Sequence, residues 1–403
     1  MKDGWDAVVV GAGPAGATSA LLLARAGARV LVLDRARFPR DKPCSEYLSP
    51  ATTAILERLG EGILVAVETT AHAKLYGMKV VAPNGAAMCG RFVDAPRPYS
   101  FALPRATFDT ILVTAAARAG AEVCQGATVE DLVWDRGAVM GVVARSGNGQ
   151  RATYNARVVV GADGLHSVVA RRLGLVRTSA PKRVAFTAHV ANVAGVDGVG
   201  ELHVSERGYV GLGPVGDGIT TVALVVPVRS LQRDYRRDFF TELDRFPGLA
   251  GRFDPRRLIG GVRATGPFAQ WSRTAVAPGG GAVLVGDAAD FFDPFTGQGI
   301  HTALRGAELA ADCLLSALEG AIGEPVPASA LRSYPQARRR AFLGKWLLER
   351  LIGVGVGWPA LTNRVVRRLA RRSDLADLVV SATGNTVPAR RVLAPSILAQ
   401  LLW

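Results

Sequence analysis

Residues 6–35 read DAVVVGAGPAGATSALLLARAGARVLVLDR. The apolar run 7–10 predicts a strand, Gly11-Ala-Gly13-Pro-Ala-Gly16 a tight turn, and 17–26 an Ala/Leu-rich helix. A second apolar strand, 29–33, ends in Asp34. Each glycine has a physical task. Gly11 turns the chain out of the strand, Gly13 lets a pyrophosphate approach the backbone, and Gly16 lets helix and strand pack closely. The helix start offers free N–H groups and the positive end of its dipole. Asp34 stands where an acid accepts hydrogen bonds from a ribose. This context predicts a dinucleotide site.

The rest of the chain bounds what that site serves. The 403 residues are 49% hydrophobic, enough for a large α/β unit or two intertwined domains. Cys44, Cys89, Cys124 and Cys313 have no CxxC spacing, which argues against a zinc site, a redox pair or a disulfide scaffold; no metal site is expected. The chain enters a strand at once, with no signal peptide, and no apolar run reaches the roughly 18–20 residues of a membrane span. A cytoplasmic location is expected. The net charge is +14, and from Val326 onward thirteen Lys and Arg face three acids. There the basic residues alternate with Trp346, Leu347, Leu348, Leu351, Ile352, Trp358 and Leu361. That pattern reads either as a solvated helical face or as a peripheral contact at the inner membrane face. No nucleic-acid motif is present.

Further along, helices are expected at 51–59, 104–119, 230–246 and 298–318, and from there the chain reads as helical until Pro388. Residues 72–102 look β-rich, 129–143 a β-meander turning at Asp135-Arg136-Gly137, and 183–227 a set of antiparallel strands with one face buried.

Three more motifs carry chemistry. VVVGADGLHSVVARRLG, residues 158–174, delivers Asp163 and Gly164 to a strand end, where ligands sit in open α/β sheets. VLVGDAADFFDPFTGQGIHTAL, residues 283–304, places Asp287 at another strand end and Pro294, Gly297 and Gly299 in a bare loop opening a helix. Arg105, in LPRATFD, is a cation at a helix start suited to phosphate or ribose.

Taken together, these motifs resemble the single-component FAD flavoproteins of the para-hydroxybenzoate hydroxylase-like group. FPRDKPC from Phe38 and RATGPF from Arg263 make the resemblance nearest to the geranylgeranyl reductase subfamily. It covers residues 7–318. It implies an α/β fold: a GR2-type Rossmann-like FAD-binding domain (1–70, 101–180 and 265–325) interleaved with a mixed β-sheet substrate domain (71–100 and 181–264), and a helical C-terminus (326–403). By the same resemblance Gly11, Gly13, Ala15 and Gly16 hold the pyrophosphate, and Asp34 and Arg35 the adenosine side. Arg105 takes the adenosine or phosphate side, Val129 contacts adenine through its backbone, and Asp287 binds the ribityl or phosphate region. Pro294, Gly297, Gly299 and Ile300 line the isoalloxazine, and Asp163 shapes the cofactor face.

This chain departs from reductase members in having Cys44-Ser45-Glu46-Tyr47 where they often continue with glycines. No WxWxIP segment marks a tryptophan-type halogenase, and no second GxGxxG provides a resident nicotinamide site. The expected activity is a monooxygenase using NAD(P)H as transient reductant and O2, acting on a small lipophilic aromatic or polyketide-type substrate. Tyr47, Glu46 and His301 are the candidates for substrate activation. Reduction of C=C bonds in an isoprenoid or polyketide is the alternative, and a non-catalytic flavin-binding protein a third reading.

Overall fold

A computed structural model describes residues 4–320 and 324–402. Residues 1–3, 321–323 and 403, which the expected segments include, lie outside the described residues.

One sheet grows from the opening motif. The parallel strands Glu122–Gln125, Val30–Asp34, Trp5–Val10 and Arg151–Gly161 lie side by side in that order. Arg151–Gly161 changes partners along its length. Its apolar half pairs parallel with Trp5–Val10 on one edge and Ala282–Leu284 on the other. Its polar half, from Arg151, pairs antiparallel with Ala138–Arg145, which pairs in turn with Thr128–Asp135. The switch follows the side chains: Val158–Val160 are fully buried, as strands covered on both faces require, whereas Arg151–Thr153 are exposed. Helices Pro14–Arg25 and Gly299–Gly320 cover this sheet and share its core.

A second sheet runs Leu258–Thr265, Arg183–Ala191, Ile219–Pro227, Gly208–Gly216, Gly200–Ser205, Gly77–Val81 and Ala87–Arg91. Its last two strands come from a distant stretch of chain and join parallel at Gly200–Ser205. Period-2 alternation sorts its faces. Val184, Phe186, Ala188 and Val190 pack under Tyr235, Phe239 and Leu243, leaving Ala185 and Thr187 on the opposite face.

The helix expected over 230–246 is reduced to Phe239–Leu243. Before it, the Asp234 carboxylate accepts from the backbone N–H groups of Arg236 and Arg237, a local bond that competes with helix. Helical structure also continues past Pro388, in Ala389–Val392 and Pro395–Leu402, with Pro395 at a helix start where its missing N–H costs nothing. The longest C-terminal helix, Ser333–Val356, lies between the two sheets' cores.

Candidate active site

Strand ends and helix starts converge on a cavity between the two sheets. At one end are Gly13, Pro14 and Ala15, then Lys42, Arg105, Gly164 and Asp287; Pro294, Gly297, Gly299 and Ile300 follow along the wall. At the other end the second sheet contributes Ala185, Thr187, Tyr209, Gly211 and Ala223.

Gly11 has φ +95°, and a Cβ there would lie 2.6 Å from the Ala162 carbonyl oxygen. On Gly16 a Cβ would sit 1.8 Å from the Gly11 oxygen, so helix and strand touch through bare backbone. Gly13 differs. The nearest atoms a Cβ would meet are Nη2 of Arg40, at 3.7 Å, and Nη2 of Arg105, at 3.8 Å. Its backbone therefore opens onto a space bordered by two guanidinium groups. That donor set, with the uncapped start of Pro14–Arg25, fits a diphosphate.

A third helix start shows the contrast. Arg105–Arg118 has its first N–H closed by Glu46, whose Oε1 accepts from Arg105 N at 2.8 Å. The Arg105 guanidinium is held bidentately on Asp109 (2.7 and 2.8 Å), and Arg40 reaches the same carboxylate at 2.8 Å. Burial alone would lower the Arg105 pKa, but Asp109 outweighs it and raises it. Both arginines are thus fixed cations.

Asp287 and Lys42 face each other across this end of the cavity. Burial raises the Asp287 pKa, partly offset by Lys42 and Arg105; burial also lowers that of Lys42, against the pull of Asp287. Among the described residues, no protein hydrogen bond reaches the Asp287 carboxylate or the Lys42 ammonium. Lys42 was not singled out from the sequence, although the FPRDKPC motif contains it.

The remaining residues separate into two groups. Asp34 gives one oxygen to Ala12 N and the other to Ala36 N, each at 2.7 Å, pinning the glycine turn to the strand end. Each oxygen keeps a lone pair for a further donor. Arg35 lies on a separate shallow pocket with Arg37, Gly126, Thr128 and Arg145, and Val129 is buried beside it. Asp163 is off the cavity wall. Its oxygens accept from Ser167 Oγ (2.5 Å) and Val168 N (2.6 Å), so it closes the turn that presents Gly164.

The three candidates for substrate activation are not brought together. Tyr47 lies on the wall with its ring 3.0 Å from where a Gly297 Cβ would stand, while its hydroxyl bonds Ser100 and burial raises its pKa. Glu46 is 2% exposed and engaged three times: by Arg105 N, by Thr221 Oγ1 and by His189 Nε2 at 2.7 Å. It ties the Cys44–Tyr47 loop to the second sheet instead of facing a substrate. His301 points away from the cavity. Burial, then the charges of Lys345, Arg305 and Arg58, push its pKa down to about 3.

The sequence reading also missed a clamp. Asp293 accepts from Tyr209 OH at 2.5 Å and pairs with Arg183, whose Nη2 donates to the Gly353 carbonyl at 2.8 Å. This buried set joins the loop before Gly297, the second sheet and the C-terminal helix. Burial, then Asp293, raises the Tyr209 pKa.

The fold and cavity define a dinucleotide-binding protein with a second sheet lining the other end of the cavity. The FAD binding domain profile matches residues 5–343, and the chain belongs to that family, as an FAD-dependent oxidoreductase. Digeranylgeranylglycerophospholipid reductase 2 of Methanopyrus kandleri is 31% identical over 416 residues, 98% of each chain. Conditioned medium factor receptor 1 of Dictyostelium discoideum is 30% identical over 339 residues; the match covers 78% of this chain and 64% of that one. Among solved structures, a geranylgeranyl bacteriochlorophyll reductase-like protein of Thermoplasma acidophilum has TM-score 0.78 and 21% identity, covering 98% of both chains.

Proposed function

We propose that the protein reduces C=C bonds of a lipophilic substrate, isoprenoid or polyketide in kind, with electrons from NAD(P)H. One observation carries the substrate class. The sheet end of the cavity is apolar, and nearly all its polar side chains are bonded to other protein groups. The relationship to a reductase over the full length supports the direction of the chemistry. Bound here, FAD would supply hydride transfer, and the protein contributes orientation and exclusion of water.

In this reading Gly13, Ala15 and the start of Pro14–Arg25 hold the diphosphate, with Arg105 and Arg40 as fixed cations. Asp34 faces the ribose, with Arg35 and Val129 on the adenine side. Asp287 takes the ribityl chain with Lys42 beside it. The loop Pro294, Gly297, Gly299 and Ile300 lies against the isoalloxazine, where the start of Gly299–Gly320 stabilises negative charge. The segments 1–70, 101–180 and 265–325 make the cofactor domain, with 71–100 and 181–264 the substrate domain.

Oxygen-dependent hydroxylation of a lipophilic aromatic is the second reading. It is favoured by the Ser45-Glu46-Tyr47 loop, which replaces the glycines frequent in reductases. Product mass decides: a gain of two hydrogens under anaerobic turnover supports reduction, and a gain of one oxygen that requires O2 overturns it.

The substrate's apolarity also suggests where the protein works. Among the described residues no helix is long and apolar enough to cross a membrane. On Ser333–Val356 and two residues beyond it, Leu343, Leu347, Leu351, Val354 and Trp358 form one outward stripe, 44–61% exposed. Exposed Arg339, Arg340 and Arg350 flank it. Arg350 is held over the rings of Phe292 (4.6 Å) and Trp271 (5.9 Å). The surface fits an anionic bilayer. A second copy would bring like-charged arginines together.

A further inference from the structure

The sheet end of the cavity has one hydroxyl, on an otherwise buried residue, left over. Tyr209 OH donates to Asp293, Thr221 Oγ1 to Glu46 and Thr296 Oγ1 to Glu349. Tyr47 is bonded to Ser100. Thr187 is 8% exposed, lies on the cavity face of its strand, and has no hydrogen-bond partner among the described residues for its Oγ1. Ser45 and Thr265 also face the cavity, but both are only half-buried.

The register shows what surrounds it. Thr187 pairs with Ala223 on the next strand, and Ala223 with Gly211 on the one after. These side chains form a row across three strands with nothing larger than threonine. At about 4.8 Å between strands the row is roughly 10 Å long. The row on one side is Ala185, Val225 and Tyr209. On the other side are His189, Thr221 and Gly213, roofed by Glu46 and by the Ser45 carbonyl, which lies 3.7 Å from where a Gly213 Cβ would be. Beyond Gly211 the floor rises again at Leu202. The result is a flat trough with a polar group at one end, one largely apolar wall, and one wall whose polar groups are bonded to Glu46.

A hydrocarbon filling this trough would strip water from the Thr187 hydroxyl and return nothing, which costs free energy. A ligand with an oxygen at that end would satisfy it. We propose that Thr187 is the polar anchor of the substrate site, and that the trough over Ala223 and Gly211 takes a flat, uncharged ring bearing an oxygen, as in a quinone or phenol. The apolar remainder of the ligand then runs toward Leu202 and Met78. This rests on reading the sheet end of the cavity as the substrate site and narrows the lipophilic class to one with an oxygenated ring.

The test uses the full chain loaded with FAD, titrated with 2-methyl-1,4-naphthoquinone and with 2-methylnaphthalene, and read by perturbation of the flavin absorbance. Thr187→Val should weaken the quinone about 10-fold, as expected for one hydrogen bond, and leave the hydrocarbon within about twofold. Thr187→Ser should restore quinone binding. Gly211→Leu should weaken both probes about 10-fold or more by filling the trough, with FAD affinity unchanged in every variant. If both probes bind but Thr187→Val shifts them equally or not at all, the anchor is wrong and the substrate site stands. If neither probe perturbs the flavin of the parent protein, the substrate-site reading falls and the anchor with it.

Discussion

The two ends of the cavity are built on opposite plans. At the cofactor end the protein leaves groups open: the backbone over Gly13, the Lys42 ammonium and the Asp287 carboxylate. At the sheet end it joins its polar groups to one another, as in Arg183–Asp293–Tyr209 and Glu46–His189–Thr221. An anionic ligand is held by open donors and fixed charge. An apolar one is held by shape, and stray polar groups would oppose it.

The severest test of the cofactor end is Gly16→Val. Its Cβ would stand 1.8 Å from the Gly11 oxygen, so bound FAD should be lost entirely, measured as flavin absorbance per mole of protein. Retained yellow colour would break the contrast, because the glycine contact would then be dispensable.

The matching break at the sheet end is Arg183→Ala. Arg183 and Asp293 side chains are 5% and 8% exposed, so removing the arginine strands a buried carboxylate. Urea unfolding should show a loss of about 3–5 kcal/mol. Combining Asp293→Asn with Arg183→Ala, which leaves no unpaired charge, should cost distinctly less than Arg183→Ala alone. Equal losses would mean that charge is not what the clamp contributes.

Two histidines sharpen the comparison with opposite signs. His301, behind the cofactor loop, is held neutral with its pKa near 3 by burial. The unfolded chain takes up that proton near pH 6.5, so stability should fall as pH drops below 6.5, by about 2–3 °C in Tm at pH 5. His301→Gln should flatten that slope. His189, at the sheet end, has its pKa raised by its bond to Glu46. Its contribution is full below pH 6.5 and is lost as pH rises through the folded value. His189→Gln should therefore remove a decline on the alkaline side and leave the acid limb unchanged.

The smallest effect on stability belongs to a surface that neither end uses. Leu351 is 54% exposed, and Leu351→Glu should change unfolding stability by no more than about 0.5 kcal/mol. Co-sedimentation with phosphatidylglycerol vesicles should drop several-fold. Unchanged sedimentation would remove the stripe from the account of where the substrate is met.

Legibility in the sequence followed the reach of each interaction. The turn at Gly11–Gly16 and the strand end at Asp34 are local, and their geometry could be anticipated. Glu46 read as a loop acid near a substrate because its partners are 59, 143 and 175 residues away. His301 follows Ile300 directly, yet successive helix residues point about 100° apart, so one lines the cavity and the other turns from it. Asp293 was visible inside DPFTG, but nothing local revealed Arg183 and Tyr209 as its partners.

By itself the sequence determined the cofactor class and the glycine turn at Gly11–Gly16. Glycine spacing, helix start and terminal acid are consequences of short-range backbone sterics, and they recur wherever that order of residues occurs. The tertiary structure decided which polar groups face the ligand and which face each other. Thr187, Ala223 and Gly211 become one trough only through strand register, and Glu46 becomes a helix cap only where distant strands meet.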